Sequence, residues 1–307
     1  MKGIDLAKAF YEEYGIPMLK EFPELEGKVA VGLVGSGSEC FGFDDEFSKD
    51  HDFEPSFCIF LPSEAVVDRR SAFLLERAYA KLPKEYMGFA RGESSIGGQG
   101  RRGVLRTAEF FISKVGAPDG ELSTENWFAV PEFSLAEAVN GSIFCDDLGE
   151  VTAIRQKLSK FPRDVKLKKL AGELLLMAQA GQYNYYRSIT RGETAAARLA
   201  AYEFAKSALH AIFLLNDTYL PFYKWQFRAL RGLPKLASLA QPLERLLSTA
   251  ESENVERIEQ IIGGILDEVR AQGLSTLPHN EAELHAYAVN GQIANGDLRN
   301  QHILYGV

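Results

Sequence analysis

The stretch Gly35-Ser-Gly-Ser-Glu-Cys-Phe-Gly-Phe-Asp-Asp-Glu-Phe-Ser-Lys-Asp-His-Asp52 joins two features with separate physical uses. It follows Lys28-Val-Ala-Val-Gly-Leu-Val34, a short β-branched run that predicts a buried strand entering a tight turn. Glycines leave backbone N–H groups unobstructed, so a Gly-Ser turn can aim those groups and a hydroxyl at phosphate oxygens. Beyond an acidic loop, residues 52–61 read as a second strand, with Phe53, Phe57, Cys58, Ile59, Phe60 and Leu61 closing at Pro62. Strand alternation puts Asp50 and Asp52 on one face and His51 on the other. Two convergent carboxylates suit magnesium, which takes oxygen ligands and commonly sits between one or two carboxylates and substrate phosphates.

Working outward, residues 5–22 place Leu6, Phe10, Tyr14 and Met18 at helical spacing, with a break expected at Gly15 and Pro17. A helical stretch begins at Ser63 and runs to Leu82. Residues 84–102 are rich in glycine and carry Arg91, Arg101 and Arg102; they do not fit GxxxxGK[ST], so no P-loop is assigned. These arginines are solubilising loop charges or a clamp over a triphosphate. Val104-Leu105 reads as a short strand, and Thr107 as the N-cap of a helix holding Phe110, Phe111 and Val115. Two more short apolar segments, 127–130 and 143–145, flank the helical pattern Leu135, Ala136, Val139. Short strands alternating with helices make an α/β domain of the α+β kind, with a small mixed sheet.

After Phe161-Pro162 the texture changes: alanine and leucine dominate and apolar residues recur at three and four. This predicts an all-α bundle with helices near 165–179, 194–215, 220–231, 237–250 and 255–271. The domain boundary falls between Gly149 and Arg163, giving domains 1–155 and 156–307. A chain of 307 residues is the right length for two cores, and 46% hydrophobic with 25% charged residues is the balance of a soluble globular protein. The net charge of −8 argues against a surface that neutralises many nucleic-acid phosphates. No apolar run is long enough for a membrane span and no signal-peptide pattern opens the chain, so the expected compartment is the cytoplasm. Cys40, Cys58 and Cys145 lack CxxC spacing and read as small buried apolar residues. Asp44, Asp45 and Glu46 read as exposed loop charges or turn formers. Oligomeric state is not legible.

The 35–52 segment resembles the polymerase β-like nucleotidyltransferase pattern: an apolar residue, Gly-Ser, about ten residues, then Asp-x-Asp between apolar neighbours. The likeness is closer to a domain-of-unknown-function branch that reads Gly-x-Gly-Ser-Glu-x-x-Gly-x-Asp-Asp-Glu-x-Ser-x-Asp-His-Asp. It continues through Asp147-Leu-Gly-Glu-Val-Thr152, Arg155, Phe213-Leu-Leu-Asn216 and Tyr219-Leu-Pro-Phe-Tyr-Lys-Trp225. The helical half looks like the C-terminal domain of kanamycin-nucleotidyltransferase-like proteins. The resemblance implies phosphate binding at Gly37 and Ser38, with Ser36 beside them, and magnesium ligands at Asp50 and Asp52. A two-metal site would serve transfer of a nucleoside monophosphate from an NTP to a hydroxyl acceptor. The acidic overall charge favours a small-molecule acceptor over nucleic acid. A third carboxylate falls to Glu109 or to Asp146. Lys224 and Arg187 are candidates to hold the phosphates, while Asn216 reads as a helix cap. A rival reading keeps nucleotide binding but not efficient turnover, making the chain a regulatory protein.

Overall fold

The computed structural model describes residues 1–46, 54–91, 102–248 and 253–307. They form a mixed α/β protein of two compact units, Met1–Ser123 with Phe133–Ser159, and Thr124–Glu132 with Lys160–Val307.

The first unit is built on strands β1 (Ala30–Leu33), β2 (Cys58–Leu61), β5 (Gly103–Arg106) and β6 (Ser142–Asp146), in the order β5-β2-β1-β6. A separate small ribbon pairs β3 (Glu85–Tyr86) with β4 (Phe89–Ala90). The main sheet is mixed: β1 runs antiparallel to β2 and β6, and β2 parallel to β5. Every residue of β1 and β2 is buried, so both read as unbroken apolar runs, as strands covered on two faces do. Val31, Ile59 and Leu61 pack with Leu6, Phe10 and Phe57 in the main core. Phe60, pointing the other way, meets Phe110 edge to face with ring centroids 5.2 Å apart. A phenylalanine buried as completely as Phe57 contributes on the order of 1.5–3 kcal/mol.

The parallel pair needs a crossover, and helix α3 (Arg69–Ala80) supplies it. This helix starts later than the expected Ser63 because the Asp68 carboxylate accepts the Ser71 N–H at 2.8 Å and fixes the N-cap there. At its other end the Tyr79 hydroxyl donates to Phe57 O (2.8 Å) and accepts Phe57 N–H (3.1 Å), tying down the backbone that enters β2. That strand is shorter than the expected 52–61. Residues 54–57 are not strand, and Pro55 among them has no ladder N–H to give.

The N-terminal segment does not break at Gly15 and Pro17. Helix α1 (Gly3–Phe10) passes through a π-helical stretch (Tyr11–Gly15) into α2 (Ile16–Lys20), the wide turn taking up the register that Pro17 disturbs. The buried Asp44 is no loop charge: its Oδ2 accepts the Gly3 N–H at 3.0 Å, at the start of α1. Helix α4 (Thr107–Val115) begins one residue earlier than an N-cap at Thr107 requires, and the Thr107 hydroxyl donates instead to Leu61 O at 3.1 Å.

Helices α6 (Glu132–Val139) and α7 (Glu150–Lys157) belong almost wholly to the first unit; in the second, α5 (Thr124–Ala129) contains most of the 127–130 segment as helix, and α8 (Arg163–Met177) opens the bundle. From α8 the axis continues through a π segment (Ala178–Tyr185) into α9 (Tyr186–Thr190), well past the expected end at 179. The long α10 (Thr194–Leu215) is the hub, burying an alanine-rich face that includes Ala197, Ala201, Ala205 and Ala208. Asn216 caps it as expected, its Nδ2 donating to Ile212 O (2.8 Å) and Lys235 O (3.1 Å). Then come α11 (Gln226–Leu230), α12 (Ala240–Ser248), α13 (Glu253–Ala271) and two helices with no sequence expectation, α14 (Ala282–Gly291) and α15 (Gly296–Asn300). Lys168, fully buried, joins α8 to this last pair by donating to Asn290 Oδ1 (3.0 Å) and Gln301 O (2.7 Å). No helix among the described residues is long and apolar enough to cross a membrane.

Candidate functional site

Strand β1 delivers the 35–38 turn at one end of the sheet. The antiparallel register sets Gly32 opposite Cys58, so residues 54–57 enter β2 at this same end. Asn140 grips the turn from beside it: Oδ1 accepts Gly35 N–H at 2.8 Å and Nδ2 donates to Gly35 O at 2.7 Å. Arg155 on α7 holds that grip in place, donating to Asn140 O and Val139 O, both at 2.8 Å. Arg102 secures the turn from beneath, with N–H groups on Val34 O and Ser36 O (3.1 Å each) and on the buried Glu39 carboxylate at 2.5 Å. Gly37 has φ +123°, and a Cβ there would fall 2.4 Å from Glu39 Oε1, so only glycine lets that carboxylate lie under the turn.

The two serines differ. Ser36 donates its hydroxyl to Glu137 Oε2 at 2.8 Å, and Lys114 closes the triangle with Nζ 3.2 Å from Ser36 Oγ and 2.6 Å from Glu137 Oε2. Ser38 opens a short 3-10 turn (Glu39–Phe41), its carbonyl accepting from Phe43 N at 2.8 Å. Among the described residues its hydroxyl has no partner, and the backbone N–H groups of Ser36, Gly37 and Ser38 have no acceptor. Three successive N–H groups and a hydroxyl without partners among the described residues are donors that an anion could use.

Asp50 and Asp52 lie outside the described residues, as do His51 and Arg101. Glu109 sits in the first turn of α4, exposed. That turn follows Arg106, which pairs with Leu61 at the opposite end of the sheet from the 35–38 turn. Asp146 is also at that far end, opposite Ala30, with its Oδ2 accepting Thr152 N–H at 2.7 Å. The carboxylates near the Gly-Ser turn are instead Glu39 and Glu137, paired with Arg102 and Lys114. Among the described residues no three His, Cys, Asp or Glu side chains converge as a metal site.

The remaining candidates belong to the second unit. Arg187 is exposed on α9 with its guanidinium 4.0 Å from the Tyr183 ring centroid; Lys224 is exposed in a short 3-10 turn (Tyr223–Trp225), 5.1 Å over the Trp225 ring. Of the loop arginines, Arg91 stacks on Tyr79 at 4.4 Å. Cys40 and Cys58 are buried as expected, and burial pushes the Cys40 thiol up to about 12 against the pull of Arg102, which keeps it from acting as a nucleophile near neutral pH.

A family model described as Domain of unknown function (DUF4037) matches residues 127–226. This fits the likeness to a domain-of-unknown-function branch, and the matched segment runs from α5 to the first residue of α11, apart from the Gly-Ser turn. No curated protein and no solved structure matches the chain.

Proposed function

We propose that this chain is a cytoplasmic, magnesium-dependent nucleotidyltransferase that moves a nucleoside monophosphate from an NTP to a hydroxyl on a small molecule. The observation that carries this reading is the 35–38 turn, whose free N–H groups and Ser38 hydroxyl stand on a frame fixed by Asn140, Arg155 and Arg102. Donors held in place before a ligand arrives need no reorganisation to meet a phosphate. The sequence adds Asp50 and Asp52 a few residues ahead of the β2 entry. Magnesium held by such a pair supplies the charge that offsets a triphosphate. In this reading Gly37 and Ser38 bind the phosphates.

A second reading, nucleotide binding without efficient turnover, is favoured by one arrangement. Glu109 and Asp146 stand at the far end of the sheet, while Glu39 and Glu137 near the turn are engaged by Arg102 and Lys114, so none of these four is a free third carboxylate beside the turn. Incubating the full chain with magnesium, an α-labelled NTP and a cell-extract metabolite fraction separates the two readings. Label appearing on a small molecule with release of pyrophosphate is the expected result; tight NTP binding with no transferred label would leave only the second.

A further inference from the structure

In the first unit, α2 packs beside α3, and the N-terminal helical segment and α3 leave between them a groove of ≈ 700 Å³. Its floor is apolar, with Met18, Ala78 and Leu82 belonging to the main core beneath. Apolar side chains also line its rims. On α3, Phe73 is 55% exposed and its neighbour Leu74 is 43% exposed, while Pro17 and Phe22 line the other side. Covering such a pair of large side chains with a second apolar surface is favourable.

The charges decide what that second surface is. Glu13 and Glu21 line the groove from the N-terminal segment, and Arg77 and Lys81 line it from α3, so one wall is acidic and the other basic. The walls do not neutralise each other: Glu13 Oε2 accepts the Tyr86 hydroxyl at 2.9 Å, the Arg77 guanidinium lies 5.8 Å from the Phe73 ring centroid, and Glu21, Arg77 and Lys81 have no ion-pair partner among the described residues. A partner carrying one sign of charge would be attracted to one wall and repelled by the other. A rotated copy of the same surface avoids this. A two-fold axis running along the groove carries each wall onto the opposite one, so that between two chains acidic meets basic twice, the self-complementarity an isologous contact requires.

We infer that this groove is the interface of a symmetric homodimer, in which Arg77 and Lys81 of each chain meet Glu13 and Glu21 of the other, and Phe73 and Leu74 of each are covered by Pro17 and Phe22 of the other. One helical segment and one helix from each chain make a modest contact, so the association is a reversible one in the micromolar range. It does not depend on the nucleotide reaction proposed above.

Sedimentation equilibrium of the full chain without nucleotide, at about 1–100 μM to span a micromolar Kd, is expected to show a monomer–dimer equilibrium that weakens with added salt. Arg77→Glu with Lys81→Glu makes both walls acidic. Glu13→Gln, which still accepts the Tyr86 hydroxyl, with Glu21→Lys makes both basic. Each of these variants alone should self-associate about tenfold more weakly or worse, because like charges then face each other twice, whereas an equimolar mixture of the two should recover a dimer at least as tight as the wild type. Leu74→Asp should abolish association at an unchanged melting temperature; if it fails to fold, the charge variants, all at exposed positions, carry the test without it. A wild type that stays monomeric across the range, leaving the groove to another partner or to none, would overturn the proposal. So would a dimer indifferent to these substitutions, or variants that do not recover on mixing.

Discussion

Ser36 and Ser38 stand two residues apart in one turn, yet the first spends its hydroxyl on Glu137 and Lys114 while that of the second has no partner among the described residues. Ser36→Ala should therefore lower stability by about 1 kcal/mol, the usual net worth of one hydrogen bond, and leave triphosphate affinity nearly unchanged. Ser38→Ala should do the reverse, weakening triphosphate binding by about 1.5–3 kcal/mol as expected for one bond to a charged group. Urea unfolding and nucleotide titration of the two variants check both arms, and a larger binding loss for Ser36→Ala would move the site to the other serine. Glu39→Gln removes a carboxylate charge from beside the Arg102 guanidinium, both side chains being under 10% exposed. Unfolding should then come about 1.5–3 kcal/mol more easily, the worth of one hydrogen bond to a charged group, with the damage concentrated at the turn. None of Asn140, Lys114, Glu137 or Arg102 announces itself as a partner of residues 35–39 in the sequence, because each reaches the turn from at least sixty residues away along the chain. Only the tight Gly-Ser geometry was legible there, since glycine where φ must be positive is a local requirement.

At the scale of elements, strands covered on both faces were legible as apolar runs, and β1, β5 and β6 lie where those runs predict. The start of β2 was not, because apolar residues at 53 and 57 extend the pattern past a proline that halts the ladder. Helices α14 and α15 escaped notice for a different reason: the buried face of α14 consists of Ala282, His285, Ala286 and Val289, too small and too polar to write an amphipathic stripe. The pairing of α8 with α10 carries a pH signature of its own. His210 faces Glu173 and Lys169 of α8 and Glu132 at the start of α6, and its folded-state value is raised. Its contribution to stability is thus fully present below the unfolded histidine value of about 6.5 and is lost as pH rises through the folded one. Urea unfolding of the wild type and His210→Gln across this range should show the wild-type advantage shrinking with rising pH; an advantage that grows with pH would contradict the sign assigned to the pair.

Over the whole molecule, the proposed function sets a triphosphate against a formal charge of −8, which calls for a local set of donors and a cation-dependent site. In that proposal the 35–38 turn would supply the donors and the cation requirement would fall on Asp50 and Asp52. The measurement that bears most directly on this is calorimetric titration of ATP, with and without magnesium, into the wild type and the Asp50→Asn, Asp52→Asn double variant. Each substitution removes ligand charge with little change in shape, so the variant should keep its melting temperature while magnesium-dependent ATP binding disappears. Equal magnesium-ATP affinity in the two proteins would contradict the account.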